Sequence, residues 1–340
     1  MGVKIIATGK ALPNFKVDND RIKELVDTDS EWITSRTGIA ARHVALEESA
    51  LQISVRAARQ AMRGDAFLGV KGGSPGELQP GAGAIDPADI GLVIFATVTP
   101  DMLVPSMASL VKKEMGLENA VGFDLNAACS GFLFAAWTAQ SLMMTSGIKK
   151  ALVIGSERLS RIVNWEDRGT CILFGDGAGA AVLELDDSKT GIIDTHMQNY
   201  DDVNDVLICG MQYIEIPFIK EEPKDMFLKM NGTQVFRFAV GAVSEVMDKL
   251  LAKTGYSVKD IDYIVPHQAN IRIINNIAQK YDIPIDKFQI SIENTGNTSA
   301  ASVPMAMDDL LRSGKVQAGD KVMLIGFGGG LSAGAMLVEF

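Results

Sequence analysis

The chain has few of the residues that mark a disulfide scaffold, a metal site or a membrane span. Its 340 residues hold three cysteines, Cys129, Cys171 and Cys209, with no CxxC pair. That excludes a disulfide framework and a conventional zinc site. Three histidines, His43, His196 and His267, leave few candidates for imidazole chemistry. No apolar run reaches the roughly 18–20 residues of a spanning helix, so no membrane role is expected. The start shows only a short strand-like run, Val3–Ala7, and no cleavage pattern after a long apolar core, so cytoplasm is expected. Positive charge is also short: Lys and Arg number 32 against 42 Asp and Glu, a net charge of −10. Nonspecific nucleic-acid binding needs a surplus of cations and is not expected, although a local basic patch stays possible.

What is present is an α/β pattern. Ile90–Val98, Val121–Leu125, Ala151–Gly155, Ile261–Val265 and Lys321–Gly326 read as strands, mostly buried ones, separated by amphipathic stretches. Two of these runs repeat. "DPADIGLVIFATVTP" from Asp86 resembles "SVKDIDYIVPHQAN" from Ser257, and "ALVIGS" resembles "VMLIGF". Ile90 to Ile261 and Gly155 to Gly326 are each 171 positions apart, and "GAGAAVLEL" echoes "SAGAMLVEF" at an offset of 155. The pattern predicts duplicated α/β halves, residues 1–190 and 191–340. Adding 171 to Cys129 gives Ala300, and both sites look like the entry to a buried helix. Residues 64–84, with seven glycines and two prolines, read as a flexible surface insertion.

Cys129 lies in "FDLNAACSGFLFAAW", where a strand runs into small residues and an apolar helix. A thiol at a helix N-terminus meets the positive end of the macrodipole, which predicts a lowered pKa. A small core cysteine would look the same at this level. Cys171, in the strand-like "TCILFGDGAGAAVL", and Cys209, in an irregular stretch, read as structural. His267 follows "IDYIVP" at a strand's carboxyl end, where open α/β sheets gather ligands. A hydrogen-bonded loop imidazole is the plainer alternative. Asn297 in "ENTGNTSAAS" combines turn and cap residues. Gly328–Gly330 let backbone N–H groups approach a developing oxyanion. A dinucleotide loop is rejected, because the chain ends ten residues after Gly330 and "GDGAGA" leads into a strand.

Together, "NAACSGF", "VPHQAN", "GNTSAAS" and "GFGGG" resemble the β-ketoacyl-acyl carrier protein synthase III family, over nearly the whole chain. The resemblance implies a thiolase fold, two similar halves in a five-layered αβαβα arrangement, and a homodimer. It implies that Cys129 takes an acyl group from acyl-CoA, and that His267 and Asn297 then hold the thioester carbonyl of malonyl-acyl carrier protein. Decarboxylation leaves an enolate whose oxygen needs neutral N–H donors. The backbone N–H groups of Cys129 and Gly329 are implied as a second oxyanion site. Trp32, Arg36 and Arg168 match a CoA clamp and Asn270 the pantetheine tunnel. Arg272 and Arg237 match basic positions that meet the acidic carrier protein. No cofactor and no metal is implied, since both thioesters are substrates.

The chain departs from the pattern in the glycine-rich insertion, in the stretch from His196 to Met226, and at Thr233, often asparagine in the family. Val104 stands where some members carry a bulky aromatic, which predicts room for longer or branched primers. A thiolase-fold acyltransferase or condensing enzyme of secondary metabolism is the alternative, and carbon dioxide release would discriminate a pure acyltransferase. A non-catalytic partner would not be expected to keep the cysteine.

Overall fold

The computed structural model describes residues 1–63, 83–188, 190–210, 218 and 226–340. The predicted insertion at 64–84 falls almost wholly outside the described residues, as does much of the stretch from 196 to 226.

Two mixed sheets carry the chain. The first orders its strands Gly2–Ala11, Gly177–Asp186, Lys150–Glu157, Ile90–Ala96 and Val121–Leu125, the last three parallel to one another. The second orders Tyr263–Pro266, Lys321–Gly328, Ser332–Glu339 and Gly191–Asn199. Its first two strands are parallel and the rest antiparallel, which repeats the first sheet's pattern. A lone parallel bridge from Ile264 to Phe288 stands where the first sheet has its edge strand. The 171-residue offset survives in three dimensions: Lys150–Glu157 and Lys321–Gly328 match end to end.

Parallel strands need crossovers whose helices cover both faces of a sheet. Helix Gly131–Ser146 and helix Ser302–Arg312 lie between the sheets, and Phe132, Leu133, Ala135, Val303, Ala306 and Leu310 join Ile94 and Leu324 in one core. The apolar first half of Gly131–Ser146 follows from this central position, since Phe132, Leu133, Ala135, Ala136 and Ala139 are all buried. Helices Ala50–Met62 and Met107–Met115 cover the first sheet's outer face. Helices Gly232–Thr254 and Ile271–Lys280 cover the second's. Helix, sheet, helix, sheet, helix is the five-layered order expected.

Strand ends differ by a few residues from those the sequence predicts. The run Ile90–Val98 ends at Ala96, and Ile261 precedes its strand as the cap of a short turn. Cys171 ends the four-residue helix Arg168–Cys171 and not a strand. Asp167 caps that turn by accepting the Gly169 N–H at 2.8 Å, and the strand begins only at Gly177.

Candidate active site

Each half delivers a turn to the same place. In the first, the strand Val121–Leu125 leads to Asn126, whose Oδ1 accepts the Ala128 N–H at 3.2 Å. A single 3₁₀ turn, Ala128–Ser130, then feeds the central helix. In the second, Asn297 Oδ1 accepts the Ser299 N–H at 2.9 Å, and the turn Ser299–Ala301 feeds the other central helix. Ala128 and Ser299, 171 positions apart, both hold left-handed backbone, φ 45° and 48°. Such strain in non-glycine residues gathers at functional sites.

Cys129 is buried, 8% exposed, on the first turn. A Cβ on Gly328 would stand 2.7 Å from the Cys129 Cβ and 2.9 Å from its nitrogen. Only glycine lets the second half's strand pass that close. Burial pushes the thiol up to about 11, and the polar groups about it, the Ser299 side chain and the Cys129 and Gly329 backbones, recover only part of that loss. This corrects the expectation of a lowered pKa. A dipole worth about 1 kcal/mol does not outweigh removing a thiolate from water.

His267 is 2% exposed, and its backbone N–H donates to the Ile325 carbonyl at 2.7 Å. Its Nδ1 lies 2.5 Å from Ser302 Oγ, and its ring meets Phe327 edge to face at 5.0 Å. Burial pushes the imidazole down to about 3, so it is neutral at ordinary pH. A Ser302 O–H donated to Nδ1 leaves Nε2 with the proton. Asn297 is buried too, its Oδ1 spent on Ser299. Its amide nitrogen keeps its donors.

Cys129, His267 and Asn297 all line one cavity of about 1240 Å³, enough for a long thioester arm. Trp32 stands at this cavity with the Arg36 and Arg168 guanidinium groups over its ring, at 5.0 and 4.9 Å. The ring is therefore engaged by two cations before any planar ligand arrives. Arg168 also donates to the Asp27 carbonyl at 2.9 Å, and it does not border the cavity itself.

Asn270 caps helix Ile271–Lys280 through Oδ1 and donates from Nδ2 to the Arg36 carbonyl at 3.1 Å. It ties the tryptophan's helix, Ser30–Thr37, to the second half. Arg272 makes the same tie through the Ser35 carbonyl at 3.2 Å. Arg237 and Thr233 line the mouth, from helix Gly232–Thr254.

Val104 is 85% exposed and does not border the cavity, whereas Leu103 does. Its expected control of primer length has no support within one chain, because its side chain points to solvent. Cys209 borders the cavity and Cys171 is fully buried away from it. Among the described residues, no group of three or more His, Cys, Asp or Glu is placed to hold a metal ion.

Three polar residues at the site were given no role by the sequence: Glu157, which lies in no motif, and Ser299 and Ser302, which lie within "GNTSAAS" beside Asn297. Glu157 ends the strand Lys150–Glu157, after the apolar run Ala151–Ile154, and is fully buried. The usable signal is a carboxylate inside "ALVIGSE", 171 positions before Gly328 of the glycine tail.

A nucleophile turn facing neutral amide and imidazole donors across a duplicated five-layered scaffold defines a thiolase-fold condensing enzyme. Family models for 3-oxoacyl-[acyl-carrier-protein] synthase III match residues 123–201 and, for its C-terminal part, 251–340. The β-ketoacyl-[acyl-carrier-protein] synthase III of Clostridium beijerinckii is 42% identical over 339 residues, 99% of each chain. The crystal structure of 3-oxoacyl-[acyl-carrier-protein] synthase III from Aquifex aeolicus superposes with a TM-score of 0.88 at 37% identity, covering 100% of both chains. The priming β-ketosynthase of the R1128 polyketide biosynthetic pathway does so at 0.87 and 33%, covering 99% of this chain and 96% of its own. The chain belongs to the β-ketoacyl-[acyl-carrier-protein] synthase III family.

Proposed function

We propose that this chain joins an acyl-CoA primer to malonyl-acyl carrier protein, giving 3-oxoacyl-acyl carrier protein, carbon dioxide and CoA, the step that initiates fatty acid synthesis. The observation that carries the reading is the convergence of Cys129, His267 and Asn297 on one cavity. Cys129 attacks the primer thioester and CoA leaves, with the Cys129 and Gly329 N–H groups receiving the oxyanion. The malonyl thioester then meets His267 and Asn297. A neutral imidazole is suited to this step, because it donates to the enolate oxygen formed as carbon dioxide leaves, yet has no acidic proton to quench the carbanion. The carbanion attacks acyl-Cys129 and the thiolate is released. This chemistry calls for no cofactor and no metal.

Trp32, Arg36 and Arg168 receive the CoA adenine and phosphates, with one guanidinium moving off the ring as the base arrives. Asn270 lies along the pantetheine arm, and Arg272 and Arg237 at the mouth attract the acidic carrier protein. A homodimer is supported by the edge strand Val121–Leu125, whose Val121 and Phe123 are exposed, and by Trp137 and Met144, exposed on helix Gly131–Ser146. Such an edge pairs readily with its own copy. No helix among the described residues is long and apolar enough to cross a membrane, which agrees with a cytoplasmic setting. The likeness to a priming β-ketosynthase supports a second reading, in which the same chemistry primes a secondary pathway.

Intact-mass analysis with acyl-CoA, followed by carbon dioxide release from malonyl-acyl carrier protein, tests this. His267→Ala and Asn297→Ala are expected to acylate while decarboxylation falls by about 10²–10³-fold. Acylation lost in His267→Ala as fully as in Cys129→Ala would refute the division of roles.

A further inference from the structure

The thiol needs a proton acceptor, and His267 is poorly suited: it is buried, its Nδ1 is engaged by Ser302, and burial holds it neutral with little basicity. A different group reaches Cys129. Ser299 and Cys129 stand on adjoining turns that line one cavity, and the Ser299 hydroxyl donates to Glu157 Oε1 at 3.2 Å. Glu157 is 0% exposed and has no ion pair among the described residues. The groups facing it are the Thr97 hydroxyl at 3.1 Å, the Val98 N–H at 3.1 Å, the Thr99 hydroxyl at 2.5 Å and Ser299. Cys129 is close enough for the carboxylate's charge to act on it. None of these is a cation.

A buried carboxylate without a counter-ion is costly and is not needed to fill space. Three hydroxyls and an amide hold it, yet burial still pushes it up to about 7. It can therefore gain or lose a proton near neutral pH, as a working base does.

We propose that Glu157, acting through Ser299, receives the proton of Cys129 and so prepares the thiolate that attacks the acyl donor. Glu157 is thus a positioning and proton-holding residue, and Ser299 carries the proton between the two. In this relay the Cys129 S–H is donated to Ser299 Oγ, whose O–H is donated to the carboxylate. On activation the S–H bond breaks as a new O–H bond forms on Ser299, and the original Ser299 proton passes to Glu157 Oε1. One buried anion replaces another, so no second charge is created. The thiolate adds to the thioester, and the departing CoA thiolate takes its proton from water in the open cavity. When condensation later frees Cys129 as a thiolate, the proton returns from Glu157 by the same route.

The inference rests on Cys129 being the acylated nucleophile, so its test reads the thiol without any acyl donor. The rate of iodoacetamide alkylation at the Cys129 peptide is followed by mass spectrometry from pH 5 to 10. The unaltered protein is expected to show an inflection near neutral pH. Glu157→Gln is expected to lose that inflection and to react at least about 10-fold more slowly at pH 7.5. Glu157→Asp is expected to keep it, as a purely structural role would not require. Ser299→Ala is expected to behave like Glu157→Gln, and it decides the matter if Glu157→Gln does not fold. Ala128 already holds that turn geometry in the first half, so alanine is compatible with it. An unchanged profile in the folded variants overturns the proposal. A lost inflection together with an acyl adduct elsewhere than Cys129 would fault the functional reading instead.

Discussion

The turns at 126–131 and 297–302, with the strand ends beside them, are copies, and three of the pairs at which they have diverged hold much of the chemistry. Both begin with an asparagine that caps the N–H two residues on, and both pass through a left-handed residue into a central helix. Cys129 then corresponds to Ala300, Gly328 under the first turn corresponds to Glu157 under the second, and His267 corresponds to Ala96. One copy was emptied to admit a nucleophile, with glycine clearing its approach. The other was filled with polar groups that serve a substrate and, through Ser299, the neighbouring thiol. Duplication supplied two strand-end turns at one cavity, and division of labour followed from what each turn lost.

The sharpest way to break this comparison is to move the thiol. Cys129→Ala with Ala300→Cys is expected to form no acyl adduct in intact-mass analysis, because Ala300 is fully buried and lies under Gly155 instead of beside Gly328. An adduct on the relocated thiol would make the turns interchangeable. Next in size is the glycine contrast. Gly328→Ala places a Cβ against Cys129, and acylation is expected to fall about 10²-fold through misplacement of the nucleophile. Gly155→Ala would place a Cβ 2.2 Å from the Ala300 carbonyl oxygen. There the expected loss is chiefly stability, roughly 1–3 kcal/mol in denaturant unfolding. Equal effects on acylation would erase the distinction between the turns.

The duplicated strands were legible because apolar runs and glycines must repeat when backbones pack at one distance. Gly155 and Gly326 show this, each facing the other half's turn. Cys129, His267 and Asn297 were legible as motifs, and the cavity brings them together. The thiol's ionisation was not legible. The sequence shows a helix start but not the burial that overrides it. Glu157 was hidden for a related reason: its meaning comes from Ser299, 142 positions away, and no local pattern announces that contact. Val104 is a different case. Within one chain its side chain is exposed and Leu103 borders the cavity instead, so its expected part in primer length is not tested by one chain alone.

The smallest expected effect concerns the third divergent position. His267 has a folded pKa near 3 against 6.5 when unfolded. Between those values the unfolded chain binds a proton that the folded chain refuses, so this group's contribution to stability is lost as pH falls from 6.5 toward 3. Its slope is at most about 1.4 kcal/mol per pH unit. Glu157 acts in the opposite sense. Its raised carboxyl means that the folded chain holds the extra proton between about 4.5 and 7, and its contribution falls as pH rises through that window. Urea unfolding of His267→Gln at pH 7 and pH 5, each referred to the unaltered protein, cancels the other groups. The variant is expected to lose less stability on acidification, since a neutral amide takes no proton in either state. A steeper acid loss in the variant would mean that His267 is charged in the folded protein, and the neutral donor assigned to the second half would have to be given up.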